Sequence, residues 1–478
     1  MTEVRGERND FSGEAHGHVV QAGAVHGDIR FDLSPDRIEL LSAHGLLVRL
    51  VKIPADEAAI KLATVDPGKA AEVIEMMPEA RRVAIMPYMD SASADAILTR
   101  LSGEVAAALH FAVRAAQSIS SDAARWHHLL GDASGDLCRE ENSQRSPAGF
   151  SSRYELGSVY WNERTGTGMV SRTVEERYRE LRGPAGRLGY PVGRETSSGT
   201  VWYESPGSCQ RFESTWDYGA AAVDKTGTVC GAAVYASEHG VFATWGGIGE
   251  YYEAGGGSQG PLGFPLSEET WVTAKRGDTE RYRQHFEGGT VYWGTQTGAA
   301  CVRSPIQQVH ERDLFTFGLP IGDQQTAAPS RQGTTGVFQR FQGDSGNPDT
   351  ANASIYSSTS HGTWPVSGPI MRYFERSGAT AGPFGFPMTA ESSSRPQNRF
   401  IAHEQHFESG AFVRNTRTGC IGVAGNVYGL WCERRDELGL PTSPERTLGE
   451  GPDLVQFFDG GVISVVGGAA RLWVPPGD

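Results

Sequence analysis

No stretch of this sequence approaches the ~20 consecutive apolar residues that a membrane-spanning helix needs. The first residues, Met1 to Phe11, are polar and mixed in charge, without the apolar core of an export signal. A cationic excess is missing as well: 43 Lys and Arg stand against 57 Asp and Glu, a formal net charge of −14. Nucleic-acid backbones are bound by clustered positive charge, so no nucleic-acid partner is expected. Cysteines are scattered (Cys138, Cys209, Cys230, Cys301, Cys420, Cys432), with no CxxC pair to suggest a zinc site. They read as reduced thiols, and neither a metal nor a cofactor is expected. An HExxH phrase and a P-loop are both absent, which leaves a metalloprotease or a nucleoside triphosphatase without its machinery. The expected compartment is the cytoplasm, with export by a non-classical route as the alternative.

Glycine, by contrast, is abundant, at 61 of 478 residues, while hydrophobic residues make up only 38%. The length calls for several domains and the composition for a turn-dense β architecture. Three segments follow along the chain. Residues 1–33 have no helical period. Gly13, Gly17, Gly23 and Gly27 interrupt them, and a period-two strand signal runs from Asp28 to Leu33. Residues 34–130 read as helical, in short amphipathic pieces punctuated at Pro54, Asp66-Pro67, Pro78, Pro87 and Ser91, with a longer helix from Glu104 to Ile119. Their shared core is expected to include Ile60, Leu62, Val73, Ile74, Ile85, Ile97 and Leu98. Residues 131–149 form a polar linker.

Residues 150–478 repeat. One phrase occurs as Leu188-Gly189-Tyr190-Pro191, Leu262-Gly263-Phe264-Pro265, Phe317-Gly318-Leu319-Pro320, Phe384-Gly385-Phe386-Pro387 and Leu438-Gly439-Leu440-Pro441, at steps of 54 to 74 residues. A second is a Phe-acid-small-Gly turn leading to an aromatic strand, clearest at Phe286-Glu287-Gly288-Gly289-Thr290-Val291-Tyr292-Trp293. Five copies of the first phrase accompany six of the second, so one hairpin, at Glu155–Trp161, stands unpaired. A closed, propeller-like ring of five units would use it, the leading strand of the chain completing the last unit and removing exposed sheet edges. An open array is the alternative.

These phrases resemble the LGFP repeat. That resemblance implies a β-repeat domain which, in secreted or envelope-attached bacterial proteins, holds the protein at cell-wall polysaccharide. The helical segment, through Asp66-Pro67-Gly68-Lys69-Ala70-Ala71-Glu72-Val73-Ile74 and its echo Ala94-Asp95-Ala96-Ile97-Leu98, is similar to the cytoplasmic N-terminal domain of MgtE-type magnesium transporters. Without a membrane span, only the scaffold carries over. The phrase Val19, Val20, Gln21, Ala22, Gly23 looks like the RHIM-like amyloid signalling motif of bacterial immune receptors, whose core is a hydrophobic-Gln-hydrophobic-Gly tetrad. Stacked in register, such a segment would form a Gln21 ladder with dry valine contacts.

The fold class expected is therefore multidomain and mainly β: an amyloid-motif tail (1–33), a small helical superhelix (34–130), a linker (131–149) and the five-unit repeat domain (150–478). Sugars prefer flat aromatic faces, which makes Tyr190, Phe264, Phe386 and Trp293 candidate ligand contacts. The bland alternative is that these rings are core wedges. The acids of Phe-Glu phrases (Glu213, Glu287, Glu408) and of Ser267-Glu268-Glu269 could pair as glycosidase carboxylates, but their recurrence suits a turn residue better, and no catalytic residue is assigned. The expected function is non-catalytic recognition or signalling. The repeats would bind a glycan or envelope-like ligand, and the N-terminal motif would template assembly of a partner carrying a matching motif. A cell-wall-anchoring module without a signalling role is the alternative.

Overall fold

A computed structural model describes residues 38, 41–141, 148–200, 202–213, 232–272, 281–343, 347, 352–394, 401–449 and 451–474. The chain divides into two units, one holding residues up to Glu195 with Gln210–Thr215, the other Thr196–Cys209 with Trp216–Asp478. The amyloid-like phrase Val19–Gly23 lies outside the described residues.

In the first unit, helices start where local chemistry starts them. Asp66 accepts the N–H groups of Gly68 and Lys69 to cap Pro67–Met76, with Pro67 in its first turn, and Asp90 caps Ser91–Leu98 through Ser93. Such short helices are stable only side by side. With Ala43–Leu50, Ala55–Ala63 and Glu79–Ile85 they bury one cluster that includes Leu50, Leu62, Val73, Ile74, Ile85 and Leu98. Ile60, expected inside, is 66% exposed, because Ala58, Ala59 and Leu62 supply the inward face of its helix.

The last helix outruns its expected end and spans Gly103–Leu130. It buries Ala112, Ala115, Ile119 and Ala123 against Phe150, Val159, Trp161 and Met169 on a run of antiparallel strands. The run's strands are Cys138–Glu140, Gly149–Tyr154, Gly157–Asn162 and Gly166–Ser171, paired in sequence order. Its first strand lies within the stretch expected to be a linker. The polar run there hides a strand because its pairing, at Cys138–Ser151 and Glu140–Gly149, is with a partner further along the chain.

In the second unit, four sheets of the same order occupy residues 270–302, 325–366, 392–424 and 446–473, beside a hairpin formed by Ala233–Ser237 and Gly240–Thr244. Strands Pro191–Gly199 and Pro206–Phe212 carry the chain from one unit to the other. The protein is thus multidomain and mainly β, with an N-terminal helical region. The four sheets over residues 270–473 are separate meanders, and none closes into a barrel among the described residues.

One local device recurs at every Leu-Gly-x-Pro phrase. The glycine adopts a positive φ of 64° to 74°, at Gly189, Gly263, Gly318, Gly385 and Gly439, which a side chain would resist. Its carbonyl accepts a bond from an aromatic tip on the preceding helix: Tyr178 to Gly189 (2.6 Å), Tyr252 to Gly263 (2.5 Å), His310 to Gly318 (2.8 Å) and Trp431 to Gly439 (3.0 Å). Phe374 holds the same helical place in the fourth copy, with the ring but no donor. The next N–H donates to the acid of the following Phe-acid turn: Tyr190 to Glu213 (3.1 Å), Phe264 to Glu287 (2.7 Å), Phe386 to Glu408 (3.1 Å) and Leu440 to Asp459 (3.3 Å).

The same device exposes a sixth copy. Gly131, at φ 72°, ends the long helix, and the N–H of Asp132 donates to Glu155 at 3.3 Å. Leu156 N–H donates to the Leu130 carbonyl at 2.8 Å, and Ala133 bridges Tyr154 as Pro265 bridges Phe286. Leu130-Gly131-Asp132-Ala133 is therefore a degenerate motif with its aromatic and proline replaced. The hairpin at Glu155–Trp161 is not unpaired, and the five-unit count is corrected to six motif copies. No strand from elsewhere is needed to complete it.

Candidate functional site

The residues proposed as sugar contacts separate into two groups. Tyr190, Phe264 and Phe386 are 0%, 0% and 1% exposed. Each ring packs on the glycine that opens the second strand of the preceding sheet or on its counterpart. A Cβ on Gly149 would fall 2.5 Å from the Tyr190 hydroxyl, one on Gly207 2.4 Å from Phe264, and one on Gly336 2.7 Å from Phe386. They are core wedges, and their faces are not available to a ligand. In the third and fifth copies the wedge is Leu319 or Leu440, and the matching strand position holds Arg281 or Ala402 instead of glycine. Leu440 and Ala402 pack in one cluster. Ring size and the space left for it change together.

The repeated acids also have structural work. Besides accepting the motif N–H, each faces a basic side chain on the preceding hairpin: Arg164 to Glu213 at 2.7 Å, His239 to Glu287 at 3.0 Å, His361 to Glu408 at 2.9 Å, and Arg417 to Asp459. In the Phe317-Gly318-Leu319-Pro320 copy the acid position holds Gln342 and the hairpin position Gln296, so acid and basic group are both replaced. Glu268 accepts the Ala243 N–H and Glu269 the Trp245 indole N–H. These bonds explain why Phe-Glu recurs without calling on carboxylate chemistry. The run Gly255-Gly256-Gly257-Ser258-Gln259-Gly260 carries the spacing of a GxSxG nucleophile phrase and of GxGxxG, which the expectation of no catalytic phrase passed over. Both chemistries need a strand-to-helix turn. Here the run follows a helix, forms a 3-10 turn, and buries Ser258 against the Ser198 hydroxyl.

Sequence reading also missed a glutamine two places before each turn phenylalanine. Gln210, Gln284, Gln339, Gln405 and Gln456 are all fully buried. Gln284 Nε2 donates to the Ala243 and Ser267 carbonyls, both at 2.9 Å, and Gln339, Gln405 and Gln456 likewise each bind one carbonyl of the preceding sheet and one of their own loop. The signal was present as Gln-x-Phe, five times.

Trp293 is different, because it remains half-buried. It belongs to a row of three rings that crosses the 270–302 sheet. Tyr282 stands directly opposite Trp293 on one side and Trp271 on the other. Ring centroids are 5.2 Å apart for Trp271 and Tyr282, edge to face, and 6.1 Å for Tyr282 and Trp293, tilted by 36°. Trp271 is 52% exposed. Alternation along the strand puts Tyr282 on the face of buried Gln284 and Phe286, so the row is the end of the core face where it reaches solvent. The inner end is held in place: a Cβ on Gly247, at the start of helix Gly246–Ala254, would fall 2.0 Å from the Trp293 indole nitrogen.

Residues 262–311 and 317–382 match the LGFP repeat. The matched LGFP repeats include the aromatic row and the clasps around Gly263 and Gly318, and the helical segment and the N-terminal phrase lie outside them. No curated protein matches the chain. Among solved structures, the chain is similar to the extracellular domain of a B. thetaiotaomicron protein, described in one structure as a hybrid two component system and in another as a one component system. Identity is 10% and 9%, covering 71% and 72% of this chain and 49% and 50% of those chains, each with a TM-score of 0.12. This chain spans about half the length of those domains. Among the described residues no group of His, Cys, Asp or Glu is placed to hold a metal, and no helix is long and apolar enough to cross a membrane.

Proposed function

We propose that this is a non-catalytic recognition protein whose LGFP repeats bind a glycan of the cell-envelope type through Trp271, Tyr282 and Trp293. The observation that carries the reading is the aromatic row itself. Three rings aligned across adjacent strands offer an extended apolar surface on the scale of a polysaccharide chain, and sugar C–H faces pack on aromatic faces. A closed ring of repeats would present that surface on a rigid support, and it belongs to the same proposal. So does recruitment of a partner bearing a matching motif through Val19–Gly23, with the MgtE-like helices as scaffold. Both rest on the sequence. Action in the cytoplasm is the proposed setting, with envelope anchoring after export as the alternative.

The test is retention of the purified full chain on insoluble bacterial cell-wall polysaccharide. Wild type should be retained, and Trp271→Ala should weaken retention about tenfold without lowering the melting temperature, since the side chain is mostly exposed. Retention that Trp271→Ala leaves unchanged, or no retention at all, overturns the reading.

A further inference from the structure

The repeat lattice places a cleft between the helix, the turn after it and the first two strands of the preceding sheet. In the 325–366 repeat this cleft encloses about 660 Å³ and is lined by Ala327, Phe338, Arg340, Tyr356, Glu375 and Ala379 among others. Pockets of roughly 300–1,000 Å³ are the ordinary size for small ligands.

We propose that this cleft is a second carbohydrate site, separate from the aromatic row, that takes a neutral pyranose unit. The proposal rests on the glycan reading for its ligand class but on its own residues for its place. Phe338 lies parallel to the buried Tyr356 at 5.3 Å and 14°, forming a flat floor. The Arg340 guanidinium stands 5.8 Å from the Phe338 ring centre, and its Nη2 is 3.4 Å from Glu375 Oε1. These two side chains are 56% and 43% exposed, so the pair is loosely held and open to exchange. A sugar hydroxyl is both donor and acceptor. A guanidinium that only donates, beside a carboxylate that only accepts, matches adjacent hydroxyls without a net charge on the ligand. Small residues form the walls, and the Thr380 hydroxyl fixes the turn by donating to the Ala328 carbonyl at 2.6 Å.

Comparison with the equivalent places argues that the lining is not a by-product of packing. The matching cleft of the 138–171 repeat is smaller, about 240 Å³, and is lined by Glu140, Glu141, Arg179 and Arg182. There Ser151 occupies the place of Phe338, and its hydroxyl donates to Glu140. In the 191–244 repeat, Cys209 stands at that place and the Tyr235 hydroxyl donates to Glu253, the counterpart of Glu375. The turn differs as well. Gly183 and Gly257 take positive φ at 54° and 58°, whereas Ala379 takes 52° with a side chain. An alanine in that left-handed conformation is strained, and it sits on the wall of the one cleft of these three with an aromatic floor.

Calorimetry on the full chain with soluble neutral oligosaccharides (cello-, chito-, malto- and manno-tetraose) and with an oligouronate tests this. At least one neutral probe should bind saturably, with affinity reduced about tenfold or more by Glu375→Gln and by Phe338→Ala. Glu375→Gln alters an exposed side chain, so it remains informative if Phe338→Ala does not fold. Absence of binding by any neutral probe, preference for the oligouronate, or binding that responds to Trp271→Ala and not to Glu375→Gln overturns the proposal. If cell-wall retention persists in those cases, the aromatic-row reading stands without it. If retention is also missing, both fall.

Discussion

Gln284 shows how one side chain joins two repeats. Its amide satisfies a carbonyl of the preceding hairpin and one of its own loop, in a site with no exposure. Replacement by leucine would leave both carbonyls buried without a donor, at about 1–3 kcal/mol each. Gln284→Leu should therefore lower the unfolding free energy by roughly 2–4 kcal/mol in urea titration, more than an equivalent change on the surface. A loss below about 0.5 kcal/mol would show that water replaces the amide at no cost. His310 makes a different kind of prediction. Burial pushes its pKa down to about 4 from an ordinary 6.5, partly opposed by its bond to the Gly318 carbonyl. Above pH 6.5 the imidazole is neutral folded and unfolded, and contributes no pH dependence. Between 6.5 and about 4 the unfolded chain takes the proton and the folded chain does not, so stability falls as pH falls, by roughly 3 kcal/mol in total. His310→Trp, the donor used at Trp431, should flatten the melting temperature across that window, whereas an unchanged slope would place the titrating group elsewhere.

At the scale of elements, the wedge at the third motif position and the residue it meets on the preceding strand are matched by size. Aromatic wedges meet glycine at Gly149, Gly207 and Gly336, and Leu440 meets Ala402. Leu440→Phe alone should overpack and cost about 1–3 kcal/mol, and adding Ala402→Gly should recover part of that loss. A double-mutant cycle reads the coupling directly, and a coupling of zero would mean that the two positions do not share space. The turn acids follow a related logic. Glu213, Glu287, Glu408 and Asp459 are nearly buried, and each meets a basic side chain of the preceding hairpin as well as the motif N–H, because a buried carboxylate without partners is costly.

For the molecule as a whole, the sheets and clasps provide a common frame, and the proposed ligand sites fall where single repeats depart from it. Trp271 stands where the 138–171 repeat has Arg139, and Phe338 where it has Ser151. The N-terminal phrase is tested on the full chain: wild type should seed thioflavin-positive fibres and Gln21→Asp should not, since stacked like charges repel along the fibre. Fibres forming at the same rate from the variant would refute the proposed register.

The sequence by itself determined the repeat, its turn glycines and the helical starts at Asp66 and Asp90, because these depend on neighbours a few residues apart. It also carried the Gln-x-Phe signal, which has no meaning until the carbonyls it joins are known. Only tertiary structure decided which aromatics face inward. Tyr190, Phe264 and Trp293 are all aromatics of the repeated phrases, and what separates them is that the first two are fully enclosed whereas Trp293 stays half-buried at the edge of the core. The sixth motif copy, too, became recognisable only in three dimensions, since a glycine at positive φ and one hydrogen-bonded acid preserve the geometry after the proline and the aromatic have gone.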